Sequence, residues 1–245
     1  TLLDISLCPE EVDVRDSLFR DVTAVVAAVF HPLGILTDVQ PYGSSRMGLT
    51  IRGSSDMDLS IQILSSEEGV LDTLPQKLEV LEVLVKSLEE NGFEDVNLVQ
   101  SFCPMVKAVH PASGLELDLS LENTDGIANS SFLALYLDWD PRCRNLAMLI
   151  KFWAKQRRVC HSSKGTLSSY SILLLVINFL QQLTPPILPV LDPSTGKSIS
   201  DPQQAQETNG NPNDMSLAEC FYHFFNFYAL EKSSTVFFLH LSLAP

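Results

Sequence analysis

The sequence predicts a mixed α/β unit whose sheet is mostly antiparallel, followed by a helical region. Three observations carry this. From Asp56 to Ile63 polar and apolar residues alternate, which marks a strand with one covered face. Leu115 to Leu121 repeats that alternation. After Asn123 the alternation stops, and the apolar residues take helical spacing.

Taken in order, Glu11 to Phe30 reads as a helix, because Val12, Leu18, Phe19, Val22, Val25, Val26 and Val29 form a stripe. Acids at its start suit the helix dipole, and His31-Pro32 closes it. Ile35 to Gln40 is a short strand running into a Gly43-Ser44 turn. Ser45 to Ile51 has room for one or two helical turns. In the strand from Asp56 to Ile63, Asp56, Asp58, Ser60 and Gln62 share one face, and Met57, Leu59, Ile61 and Ile63 the other. Leu74 to Leu88 is an amphipathic helix ended by Asn91-Gly92. Val96 to Phe102 and Met105 to His110 read as strands. Pro111 to Gly114 is a turn, and Leu115 to Leu121 is the last strand. Phe132 to Tyr136, Cys143 to Arg158, Ser168 to Leu183 and Leu217 to Leu230 read as helices. The aromatic run Phe221, Tyr222, Phe224, Phe225, Phe227 and Tyr228 reads as core. Ser194 to Asp214, rich in Ser, Gln, Asn, Gly and Pro, reads as a long exposed loop.

At 245 residues the chain has length for one large domain or two small ones. No apolar run approaches the twenty residues of a membrane-spanning helix, so no membrane partner is expected. Cys8, Cys103, Cys143, Cys160 and Cys220 are dispersed without metal-ligand spacing. They read as reduced thiols of an intracellular protein, without a zinc site. The net charge of −14 argues against tight, unaided binding of a long nucleic acid. Such a chain touches the last few nucleotides of a strand, or a protein partner supplies the basic surface. The basic residues concentrate at Arg142, Arg144, Lys151, Lys155, Arg157 and Arg158, six of the 16 in the chain.

The chemistry centres on Asp56, Asp58 and Asp118. Asp56 and Asp58 are two residues apart on a strand and present two carboxylates side by side. Asp118, on the later alternating strand, completes a triangle. Glu116 shares its face, but Asp-Leu-Ser recurs at 58–60 and 118–120 and favours Asp118. Three close carboxylates repel one another unless a hard cation neutralises them, which suits two Mg²⁺ or Mn²⁺ ions. Two such ions beside a triphosphate are the machinery of nucleotidyl transfer. The plain alternative is a solvated strand edge. Gly43 lets the backbone approach a phosphate, and Ser44 adds a hydroxyl and an N–H. Lys151 and Lys155, four apart on a helix, face one way and suit a triphosphate, or else form a solvated helix face. Tyr170 suits stacking on a base, or burial as a core tyrosine.

Gly43-Ser44, eleven residues, and then Asp56-Met57-Asp58-Leu59 resemble the signature of the polymerase-β-type nucleotidyltransferases. Lys151-Phe152-Trp153-Ala154-Lys155, Gly165-Thr166-Leu167-Ser168-Ser169-Tyr170 and Pro185-Pro186 resemble the noncanonical poly(A) polymerase and terminal uridylyltransferase branch. The likeness runs from about residue 36 to 230. It implies a polymerase-β-like catalytic domain at 32–124. It also implies a helical nucleotide-binding domain made of 1–31 and 125–245, with the nucleotide in the cleft between them. It implies Asp56, Asp58 and Asp118 as catalytic metal ligands and Gly43 and Ser44 as the phosphate-binding turn. Asn129 and Ser130 match contacts to ribose and uracil. Lys151 and Lys155 match triphosphate lysines, Ser169 a phosphate contact and Tyr170 the base-stacking ring. The implied reaction adds UMP from UTP to an RNA 3′ end without a template. A poly(A) polymerase using ATP and a non-catalytic subunit are the alternatives. No Asp-Pro-Phe-Glu-like base-reading motif follows Leu230, which keeps adenine open beside uracil. The small, acidic chain resembles the trypanosomal uridylyltransferases of RNA editing, which implies partners in a complex. Its expected place is intracellular, in mitochondria or cytoplasm, with mitochondria favoured.

Overall fold

The computed structural model describes residues 2–53, 56–65, 74–101, 103–161, 164–199 and 213–231. Compactness divides the chain into two units, residues 6–131 and residues 1–5 with 132–245.

The first unit is built on a five-stranded sheet in the order β1-β2-β5-β4-β3. The strands are β1 (Leu36–Pro41), β2 (Met57–Ser65), β3 (Glu94–Val99), β4 (Met105–Val109) and β5 (Glu116–Leu121). β2 and β5 pair in parallel, and the other neighbours pair antiparallel. Alternation sorts the two faces of the sheet. Val39, Met57, Leu59, Ile61, Val106, Ala108, Leu117, Leu119 and Leu121 enter the core. There they meet Leu18, Val22, Val25, Val26 and Phe30 of α2 (Pro9–Phe30) and Leu81, Leu84 and Leu88 of α4 (Leu74–Glu90). Each fully buried leucine contributes about 1.5–3 kcal/mol relative to exposure. The opposite face carries Asp58, Ser60, Gln62, Asp118, Ser120 and Lys107, and it holds the candidate site.

The resemblance assigns residues 1–31 to the helical region, but α2 packs into the sheet unit. Its apolar stripe needs a covered face, and the sheet supplies one. Only the short helix α1 (Leu2–Ile5) goes with the second unit, where it packs against α6 (Pro141–Gln156). The helix expected over 132–136 is the middle of a longer α5 (Thr124–Trp139), and the division of the chain falls within it. The strand expected to reach Phe102 ends at Val99, and Phe102 lies outside the described residues. Residues 200–212 of the expected loop lie outside them too.

The second unit packs α6 against α7 (Ser169–Gln182) and α8 (Leu217–Asn226). A π-helical turn, Phe227–Glu231, extends α8. Phe179 meets Phe224 and Phe227 edge-on. Tyr222 departs from the expected core role and is 64 % exposed. No helix among the described residues is long and apolar enough to cross a membrane.

Candidate functional site

Strand register brings Asp58 and Asp118 together. They are Cα partners across the parallel β2–β5 pair, so their side chains rise from adjacent strands on the polar face. The row continues outward. Lys107 of β4 partners Asp118, and Asn97 of β3 partners Lys107. On the other flank the Tyr42 amide donates to the Asp58 carbonyl (3.1 Å). The Tyr42 phenol is half-buried, and burial pushes its pKa up. Its hydroxyl pairs with the side chains of Ser120 and Asn123, and the charges of Asp58 and Asp118 raise the pKa further.

Gly43 and Ser44 open a five-residue helix, α3 (Gly43–Met47). Gly43 takes φ +59°, a conformation that glycine adopts without strain. A Cβ there would lie 2.6 Å from Asp58 Oδ2. The missing side chain is therefore what lets the turn sit against the carboxylate. The Gly43 amide donates to Ser130 Oγ (2.8 Å), and the Ser130 hydroxyl donates to the Gly126 carbonyl (2.6 Å). Ser130 is thus buried and holds the turn to α5. Asn123 starts that helix by accepting from the Gly126 amide (3.0 Å), while its own amide donates to Ser60 Oγ (3.0 Å). Asn129 lies half-buried one residue before Ser130.

Asp56 stands outside β2, exposed, just before its first residue. Arg15 of α2, 92 % buried by its 8 % residual exposure, donates to the Asp56 carbonyl at 3.5 Å. Burial pushes the Arg15 pKa down, and the charges of Glu11, Asp56 and Asp58 oppose that shift. Glu11 also pairs with Arg52 at 3.4 Å. Two residues of α2 therefore hold the segment that leads into β2.

Carboxylate oxygens suit a hard divalent cation, and the Asp58–Asp118 pair offers them side by side. The close backbone of Gly43 adds a cradle that a Cβ would fill. Asp58 and Asp118 are brought together by register, and Asp56 immediately precedes β2. Among the described residues no group of three or more His, Cys, Asp and Glu side chains stands close enough to hold a metal. Asp118 pairs with Lys107, whose Nζ lies 2.6 Å from Oδ1 and bonds Oδ2 as well.

In the helical unit, Lys151 lies on the packed face of α6 and is only 4 % exposed. That excludes the solvated-face alternative for this residue. Lys155 is half-buried one turn later. Ser168 caps α7 by accepting from the Ser171 amide (3.0 Å). Ser169 Oγ contacts Cys160 Sγ at 3.6 Å. Tyr170 is half-buried, and burial raises its pKa. Asp140 N-caps α6 and pairs with Arg142, whose hydrogen bond holds the Asp140 carboxyl below its usual range. Arg142 in turn donates to the carbonyls of Asn213 (2.8 Å) and Met215 (2.9 Å).

Sequence reasoning passed over Tyr42, Arg15 and Lys107. Lys107 is legible only through cross-strand register. Arg15 sits on a stripe of apolar residues, where a cation carries no period of its own.

A family model described as "Poly(A) RNA polymerase, mitochondrial-like, central palm domain" matches residues 2–138. Poly(A) RNA polymerase GLD2 of Danio rerio is 33% identical over 197 residues, which are 76% of this chain and 40% of that protein. Terminal uridylyltransferase 4 of Homo sapiens is 38% identical over 152 residues, 61% of this chain and 9% of that protein. The chain thus spans less than half the length of these curated relatives. Among solved structures, a cytoplasmic RNA terminal U-transferase matches with a TM-score of 0.74 at 23% identity, covering 94% of this chain and 70% of that one. A complex of mtPAP with ATPgammaS matches with a TM-score of 0.76 at 23% identity, covering 94% of this chain and 53% of that one. The fold is that of the polymerase-β-like nucleotidyltransferases.

Proposed function

Since the chain belongs to the family described as poly(A) RNA polymerase, mitochondrial-like, central palm domain, we propose that it is a template-independent RNA 3′-terminal nucleotidyltransferase that adds UMP from UTP. The observation that carries this reading is the in-register pair Asp58 and Asp118 beside the Gly43 turn. Asp58 and Asp118 hold the divalent ions, joined by Asp56 from its position before β2. When bound, Mg²⁺ or Mn²⁺ ions there supply positive charge to the attacking 3′-hydroxyl and the departing pyrophosphate. The Gly43 and Ser44 turn positions the phosphates, and Ser130 keeps that turn in place through the Gly43 amide. Lys151 and Lys155 neutralise the triphosphate, Ser169 adds a phosphate contact, Tyr170 stacks on the base and Asn129 contacts the ribose. In this reading the sheet unit is catalytic and the helical unit binds nucleotide.

UTP is placed first because relatives named as terminal uridylyltransferases share up to 38% identity with the chain. ATP is the second reading, favoured by the likeness to GLD2 poly(A) polymerases. A protein partner supplies RNA affinity to this acidic chain. We place the enzyme inside the cell, in mitochondria ahead of cytoplasm, with RNA editing as the setting. Extension of a short RNA with each of the four triphosphates separately tests the reading. Elongation by UTP alone is the expected result. Elongation by ATP alone moves the chain to the second reading, and extension by none of the four at any Mg²⁺ or Mn²⁺ concentration removes the enzyme assignment.

A further inference from the structure

We propose that Lys107 is a positioning residue for Asp118: its ammonium holds the carboxylate until a divalent cation takes its place, so the Lys107–Asp118 pair sets how tightly the site binds the ion. This rests on the metal site proposed at Asp58 and Asp118.

The geometry makes the two cations competitors. Lys107 Nζ reaches both oxygens of Asp118, the same oxygens that would serve a divalent ion held there. It comes from the side opposite Asp58, because β5 lies between β4 and β2.

Exposure makes the exchange easy. The Lys107 side chain is 47 % exposed, against 16 % for Asp118. A lysine on a flexible stem returns its ammonium to water with little loss, and half-exposed ion pairs are weak. A divalent cation carries twice the charge and binds oxygen more closely. Lys107 therefore holds Asp118 in place in the absence of metal, then yields.

Direct binding of Mn²⁺ alone to the full chain, followed by the electron paramagnetic resonance signal of the free ion, tests this without any turnover. Lys107→Met keeps the stem and removes the charge. It is expected to bind Mn²⁺ about threefold to tenfold more tightly, the scale of a weak ion pair removed. Lys107→Arg, with a forked donor that grips a carboxylate more firmly, is expected to bind Mn²⁺ more weakly than wild type. Adding Lys107→Met to Asp118→Asn is expected to change nothing, because the partner of the latch is already neutral. Unchanged or weaker Mn²⁺ binding in Lys107→Met, with binding still lost in Asp58→Asn and Asp118→Asn, overturns the role of Lys107 and leaves the metal site standing. Wild-type Mn²⁺ binding in Asp58→Asn and Asp118→Asn overturns the metal site, and the latch with it.

Discussion

Gly43 and Asp58 stand so close that a single added carbon on the glycine would lie 2.6 Å from the Asp58 carboxylate. The turn and the strand are therefore packed as one unit, and in the proposed function the backbone that addresses a phosphate lies against the carboxylate that addresses the ion. Gly43→Ala tests this. Its φ of +59° would strain an alanine by about 1–3 kcal/mol. The new methyl would also push Asp58 aside, and a displacement on the order of 1 Å costs about a hundredfold in rate. Extension should fall by that factor while the thermal midpoint drops by about 2–12 °C. A fully active Gly43→Ala would show that the contact has no bearing on the chemistry.

Lys151 is buried on α6, whereas Arg157 follows that helix and is exposed. Lys151→Met keeps the packing and removes the charge. It should raise KM for the triphosphate by about tenfold, the scale of one charge-assisted contact. Arg157→Met should leave KM within about twofold. Steady-state kinetics over a range of triphosphate concentrations decide, and equal effects from the two would return Lys151 to a structural role.

The start of α6 depends on Asp140, which caps the helix and pairs with Arg142. Asp140→Ala should cost about 1–2 kcal/mol at neutral pH. The carboxyl is held below its ordinary value, chiefly by the Arg142 hydrogen bond, so the folded chain binds the proton less readily than the unfolded one. The stabilisation is then complete above the unfolded value, about pH 4, and is lost as pH falls through the lower folded value. Urea titrations at pH 7 and pH 3 should show a gap between wild type and Asp140→Asn that closes in acid. A gap that persists unchanged in acid would remove the ion pair from the account.

Much of the sheet was legible because half-buried strands write their faces into the sequence. The alternation at Asp56–Ile63 and Leu115–Leu121 put Asp58 and Asp118 on polar faces, and β2 and β5 carry them so. What alternation cannot show is register. Nothing in the chain announces that Lys107 lies beside Asp118, since the pairing is set by how β4 meets β5. The front half of α5 was hidden for another reason. Thr124, Gly126, Asn129 and Ser130 are small or polar and leave no apolar stripe, and the helix there is fixed by the Asn123 cap and the Ser130 hydroxyl. The exposed Tyr222 shows the converse, since an aromatic run covers all sides of a helix while only one side packs.

RNA affinity follows from charge. The net charge is −14, and within the basic cluster Arg142 pairs with Asp140 and Arg144 with Asp138 (2.6 Å). Affinity for single-stranded RNA should depend on the terminal few nucleotides and barely grow with length. The slope of log K against log salt should correspond to about two to four phosphates. Titrations with short and long strands at several salt concentrations measure both. A steep slope with strong length dependence would mean that Arg157, Arg158 and their neighbours form an RNA track, and that the chain needs no partner to hold RNA.

The central claim is that the paired carboxylates Asp58 and Asp118 carry out the transfer while other residues hold the nucleotide. Single-turnover extension of a short RNA by wild type, Asp58→Asn and Asp118→Asn tests it most directly, with triphosphate binding measured on the same preparations. Each variant should lose about a hundredfold or more in rate, the scale of removing one group that stabilises transition-state charge. Triphosphate affinity should change by less than about tenfold, because Lys151, Lys155 and Tyr170 remain. Near wild-type rates in either variant, or loss of nucleotide binding in step with rate, would contradict the account.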